Sequence, residues 1–130
     1  MPANTSPIFE LTPKNAGVTI VPGDTTTKKV LYTGVGSGSR IDHIAVSSTD
    51  TASVTTMWYK NIGGTDYHIG DVVIPIGAGY TTVALVDAIA TLEPVLGYIW
   101  LASGEILKVA ALATNTAAKQ VDLVAQLGDY

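Results

Sequence analysis

Side chains able to do chemistry are few in this chain, and its two histidines come first. His43 and His68 are the residues whose ordinary pKa suits a general base beside one of the many serines and threonines. Neither stands in a recognisable nucleophile setting such as a strained Gly-x-Ser-x-Gly elbow, so a surface or packing role is expected for both. Asp66, His68 and Asp71 suggest metal ligation. On a regular strand, however, the side-chain period of two sends His68 and Asp71 to opposite faces. Asp66 and His68 remain, and two ligands make a weak site. The segment Gly34-Val35-Gly36-Ser37-Gly38-Ser39 invites comparison with a dinucleotide-binding loop. Ser39 stands where the third glycine belongs, and a strand-like run follows instead of a helix. A flexible connection between strands is the better account. Eleven acidic residues offer no preferred pair for glycoside hydrolysis, and Glu10 with Asp87 is no better than any other. The aromatics Trp58, Tyr59, Tyr98 and Trp100 either stack on sugars or anchor a core or an interface, and the second is expected. The residues therefore read as non-enzymatic, with no catalytic residue, cofactor or metal site expected.

The elements that must position these residues are strands. Ser53 to Ile76 reads as a hairpin, with arms rich in β-branched and aromatic residues around Asn61-Ile62-Gly63-Gly64-Thr65. Along its first arm, Val54, Thr56 and Trp58 point one way and Thr55, Met57 and Tyr59 the other. Val54 and Trp58 are expected in the core, with Met57 and Tyr59 covering a rim or a partner. Val18–Val21 and Lys29–Thr33 are short strands separated by the turn Pro22-Gly23-Asp24. In the strand Arg40–Val46, regular alternation puts Asp42, Ile44 and Val46 on one face and Ile41, His43 and Ala45 on the other. Tyr80–Ala90 is expected to start as a strand and turn helical toward Leu92 before Glu93-Pro94 breaks it. Tyr98–Leu101, Ile106–Ala113 and Gln120–Leu127 complete the set. In the last, Val121, Leu123, Ala125 and Leu127 alternate with Asp122, Val124 and Gln126, the period of a half-buried sheet. The count predicts an all-β, jelly-roll-like antiparallel β-sandwich of about eight strands over residues 17–130. Residues 1–16, with Pro2, Pro7 and Pro13, are expected to form an extended N-terminal arm carrying Ile8, Phe9 and Leu11. That arm either pairs at a sheet edge or lies across a neighbouring subunit.

At 130 residues the chain is expected to be one domain, large enough to bury a core without staples, and it has no cysteine. Charged residues make up 14%, well below the roughly 25% of ordinary soluble domains, which favours extensive contact with other protein. Net charge is −4, and the basic residues are scattered apart from Lys28-Lys29, so no stripe follows a phosphate backbone and nucleic acid is not expected as a partner. Neither a secretion signal nor a membrane-spanning run is expected, so no membrane partner is.

Three short stretches carry a family resemblance. Ala3-Asn4-Thr5-Ser6-Pro7-Ile8-Phe9 with Thr12-Pro13, the strand Arg40-Ile41-Asp42-x-Ile44, and the ending Val124-Ala125-Gln126-Leu127-Gly128-Asp129-Tyr130 resemble small virion proteins of tailed bacteriophages. Leu127 departs from the family's ending, which has glycine there. The resemblance implies a capsid decoration, or cement, protein: a β-sandwich, often trimeric, that sits on the major capsid protein. It implies synthesis in the host bacterial cytoplasm and residence on the virion capsid surface. On that reading the contact residues are Ile8, Phe9 and Leu11 of the arm, Met57 and Tyr59 of the hairpin, and Asp129 and Tyr130. The alternatives are a tail or head-fibre attachment protein, and after it a carbohydrate-binding or hydrolytic β-sandwich.

Overall fold

The computed structural model describes residues 12–80 and 82–130. Nine strands are present among them: β1 (Thr12–Ile20), β2 (Lys29–Thr33), β3 (Ser39–Ser48), β4 (Val54–Ile62), β5 (Thr65–Ile74), β6 (Val86–Asp87), β7 (Ile99–Leu101), β8 (Ile106–Ala111) and β9 (Val121–Asp129). One short helix, α1 (Ala88–Leu92), and a single 3-10 turn at Pro22–Asp24 complete the elements. A five-stranded sheet runs β1-β9-β3-β6, with β7 also paired to β3, and a four-stranded sheet runs β2-β8-β4-β5. All pairings are antiparallel. Apart from the extra strand β7, this is the jelly-roll order, in which the chain switches repeatedly between the two sheets.

Alternation builds the core. Val121, Leu123, Ala125 and Leu127 of β9 face inward, as do Val54 and Trp58 of β4, and all are buried. They meet Ile41, Ile44 and Val46 of β3 and Leu107 and Val109 of β8. Trp58 is the largest fully buried side chain. Its indole N–H donates to Thr56 Oγ1 at 2.9 Å, and that hydroxyl donates to the Val72 carbonyl at 2.8 Å, so neither polar group is orphaned.

Two bulges break the regular alternation. In β3 the register slips between Ile41 and His43. Ile41 therefore faces inward with Ile44 and Val46, and Asp42 does not join their face as strict alternation requires. In β5 one extra residue, Ile69, lies between the partners of Trp58 and Tyr59. Gly70 beside it has φ +154° and packs against Leu92, which covers that part of the strand.

The segment after β5 also departs from expectation. Tyr80 opens no strand: Gly79 N donates to Val83 O and Tyr80 N to Gly77 O, closing a compact loop. Pairing resumes only at Val86, opposite Val46. Asp87 then caps α1 by accepting from Ile89 N at 3.1 Å. Residues 12–16 of the expected arm form the first half of β1, paired with β9 from Thr12 opposite Asp129 onward. Ile8, Phe9 and Leu11 lie outside the described residues.

Candidate interaction surface

The outer face of the four-stranded sheet is built in rows set by its register. One row holds Val73, Thr55 and Leu112, the last bonded through its N–H to the Thr55 carbonyl. The next holds Asp71, Met57 and Ala110, and a third holds His68, Tyr59, Lys108 and Val30. Met57 and Tyr59 are half-buried at the centre, while Val73 is 60%, Leu112 58% and Val30 50% exposed. Met57 and Tyr59 thus sit where alternation puts them, on the face opposite Val54, Thr56 and Trp58.

Charge gathers at one end of this face. Asp66 accepts from Asn61 Nδ2 at 2.7 Å and pairs with Lys108 Nζ at 3.1 Å and Lys28 Nζ at 3.2 Å. These donors, Asn61 first, hold the Asp66 carboxyl down at about 2. The Lys28 ammonium lies 4.1 Å from the Tyr59 ring centre, a cation–π contact that also fixes the ring. The His68 ring meets Tyr59 edge-on at 5.4 Å. Apolar side chains bordered by charges are the anatomy of a protein contact.

His68 Nε2 lies 2.7 Å from Asp71 Oδ1, so the two side chains share a face. The Ile69 bulge is the reason: one added residue restores to the same side two positions that a regular strand would separate. This overturns the expected separation. Asp66 is committed to its lysines, and no group of three histidine, cysteine or acidic side chains suited to a metal forms among the described residues. His43 lies on the other sheet, its Nδ1 3.3 Å from Asp87.

Asp129 and Tyr130, next to each other in sequence, do different work. Asp129 points inward at the sandwich end, where Oδ1 accepts from Ser39 Oγ at 2.7 Å and Tyr32 Oη at 2.8 Å, and Oδ2 pairs with Lys14 Nζ at 2.6 Å. It thereby clips β1, β2, β3 and β9 together. Burial pushes its pKa up, but the bonds from Lys14, Ser39 and Tyr32 outweigh this and leave it below the usual carboxylate value. Tyr130 instead turns to the outer face of the five-stranded sheet, where Ser37, Arg40, Tyr98 and Trp100 join it around a recess of about 370 Å³. Spacing along the chain gave no sign of this group. Its members come from three stretches of the chain, and only the pairing of β3 with both β7 and β9 assembles them.

The Thr12-Pro13, Arg40-Ile41-Asp42 and Val124–Tyr130 stretches are also brought together. They lie on the adjacent strands β1, β3 and β9, with Thr12 opposite Asp129 and Arg40 opposite Gly128. No protein-family model and no curated protein sequence matches the chain.

Proposed function

We propose that this protein is a non-enzymatic virion component that decorates and stabilises a tailed-phage capsid. It bridges subunits of the major capsid protein, as a homotrimer, from the capsid surface. The observation that carries this reading is the outer face of the four-stranded sheet. There Met57 and Tyr59 stand at the centre, exposed Val30, Val73 and Leu112 lie around them, and the Asp66–Lys28–Lys108 cluster sits at one end. A contact protein works through such a surface, with desolvated anchors surrounded by polar groups that exclude water. Holding the anchors on a sheet keeps the ordering cost of docking low. Binding only the assembled shell would stabilise that shell by mass action. Thr12-Pro13, Arg40-Ile41-Asp42 and the Val124–Asp129 part of the resembling ending support the same reading, since they meet on neighbouring strands of the opposite sheet.

Antibody labelling of purified particles, viewed by electron microscopy, tests this. Label distributed over the head surface is the expected result, and label confined to the tail would move the protein to tail or head-fibre attachment.

A further inference from the structure

We infer that the recess lined by Ser37, Arg40, Tyr98, Trp100 and Tyr130 binds a neutral saccharide, with a sugar ring seated on Trp100 and Tyr130. The recess lies on the five-stranded sheet, opposite the face assigned to capsid contact, and the inference stands without that assignment. Its lining is unusual in kind. Among the described residues that line it, three are aromatic, one is a guanidinium and one a hydroxyl, and none is aliphatic. A sugar presents an apolar face of C–H groups and an edge of hydroxyls. Aromatic faces suit the first, and planar or hydroxylic polar groups suit the second. A volume of about 370 Å³ is at the small end for ligand sites, enough for one or two rings.

Charge argues for a neutral ligand. Arg40 Nε lies 2.6 Å from Asp42 Oδ1, so the cation is already paired. Its guanidinium stacks over Tyr98 at 4.3 Å and presents a flat, fixed edge.

The glycine-rich segment finds its use here as well. Gly38 has φ +127°, and a Cβ on it would lie 2.2 Å from Trp100 Cζ2, so the indole rests on bare backbone. Gly36 has φ +61°, and a Cβ there would lie 2.6 Å from the Tyr130 carbonyl oxygen. Ser37 N donates to Tyr130 O at 3.1 Å and Tyr130 N to Gly38 O at 3.0 Å, fixing that residue's backbone. Trp100 and Tyr130 then meet at 5.4 Å and 57°. Trp100 nonetheless remains 39% exposed. A ring held rigid yet left open to water is ready for a ligand, because little freedom is lost on binding.

The test titrates the full chain with soluble neutral oligomers of glucose, mannose, galactose and N-acetylglucosamine, following the two indole N–H resonances. Trp58 is sealed in the core, so it serves as the internal reference. At least one oligomer should shift the Trp100 resonance saturably, with affinity insensitive to salt. Trp100→Ala should weaken binding about tenfold or more, whereas Tyr59→Ala on the opposite sheet should bind like the parent. If Trp100→Ala fails to fold, Tyr130→Ala and Tyr98→Ala carry the same expectation, read from the backbone amides of residues 36–40. The inference is overturned if no oligomer moves Trp100 at millimolar concentration. It is equally overturned if binding survives loss of these rings, or if only charged oligomers or apolar peptides respond.

Discussion

The indole of Trp100 lies directly on the backbone of Gly38, leaving no room for a β-carbon between them. Gly38→Ala must therefore displace the ring and also adopt a positive φ that alanine resists. We expect a loss of about 1–3 kcal/mol in urea unfolding, with a shifted Trp100 resonance. Trp100→Ala, which removes a partly exposed ring, should restore much of that loss in the double variant, because the clash then disappears.

Asp129 ties three other strands to the chain's last one, and it is buried. Asp129→Ala leaves the Ser39 and Tyr32 hydroxyls without their acceptor, for a loss of about 2–3 kcal/mol. The pH dependence follows in sign. The folded pKa of Asp129 is lowered, as are those of Asp50 and Asp66. Their contribution is fully present above the unfolded value of about 4 and is lost as pH falls through the folded values. Thermal midpoints should hold between pH 7 and about 5 and decline below about 4, and the decline should be shallower in Asp129→Ala.

Much of this fold was legible because most strands alternate regularly. The Val54–Ile74 hairpin, the strand Lys29–Thr33 and the inward set of β9 follow directly from side-chain type and period. What alternation misses is a change of phase. The bulges at Asp42 and Ile69 each shift the outward set by one position, and that shift puts Ile41 in the core and His68 beside Asp71. The bulge in β3 is decided by its pairing with β9, distant in sequence, and the one in β5 by the register across the hairpin, so side-chain period alone reveals neither. The Tyr80 region fails for a related reason: strand-forming side chains there are overruled by loop bonds around Gly77 and Gly79. Of the expected contact residues, Met57 and Tyr59 lie on one face, whereas Asp129 is turned inward and Tyr130 lies on the opposite sheet. The Arg40–Trp100–Tyr130 recess was invisible, since its walls are joined by strand order alone.

Trp58 is fully buried and its N–H is satisfied by Thr56. Trp58→Phe should cost about 1–3 kcal/mol through lost volume and a weakened hydroxyl relay, and Trp58→Ala about 3–5 kcal/mol. Chemical denaturation measures both.

The His68–Asp71 pair is close but lies in solvent, with side chains 46% and 49% exposed. His68→Ala should change stability by less than about 0.5 kcal/mol, measured by urea unfolding at neutral pH. A larger loss would mean that the pair holds the Ile69 bulge in place.

The docking face is tested most directly by co-sedimentation of the purified protein with capsid shells that lack it, comparing the parent chain with Met57→Lys, whose charge is opposite to that of its neighbour Asp71, and Tyr59→Ala. A charge at the centre of the apolar rows, or removal of their largest ring, should weaken binding on the order of tenfold or more while the unfolding midpoint stays close to the parent's. Parent protein that saturates the shells, with both variants left in the supernatant, is the predicted result. Parent protein that does not sediment with the shells, or folded variants that bind them as the parent does, would contradict it.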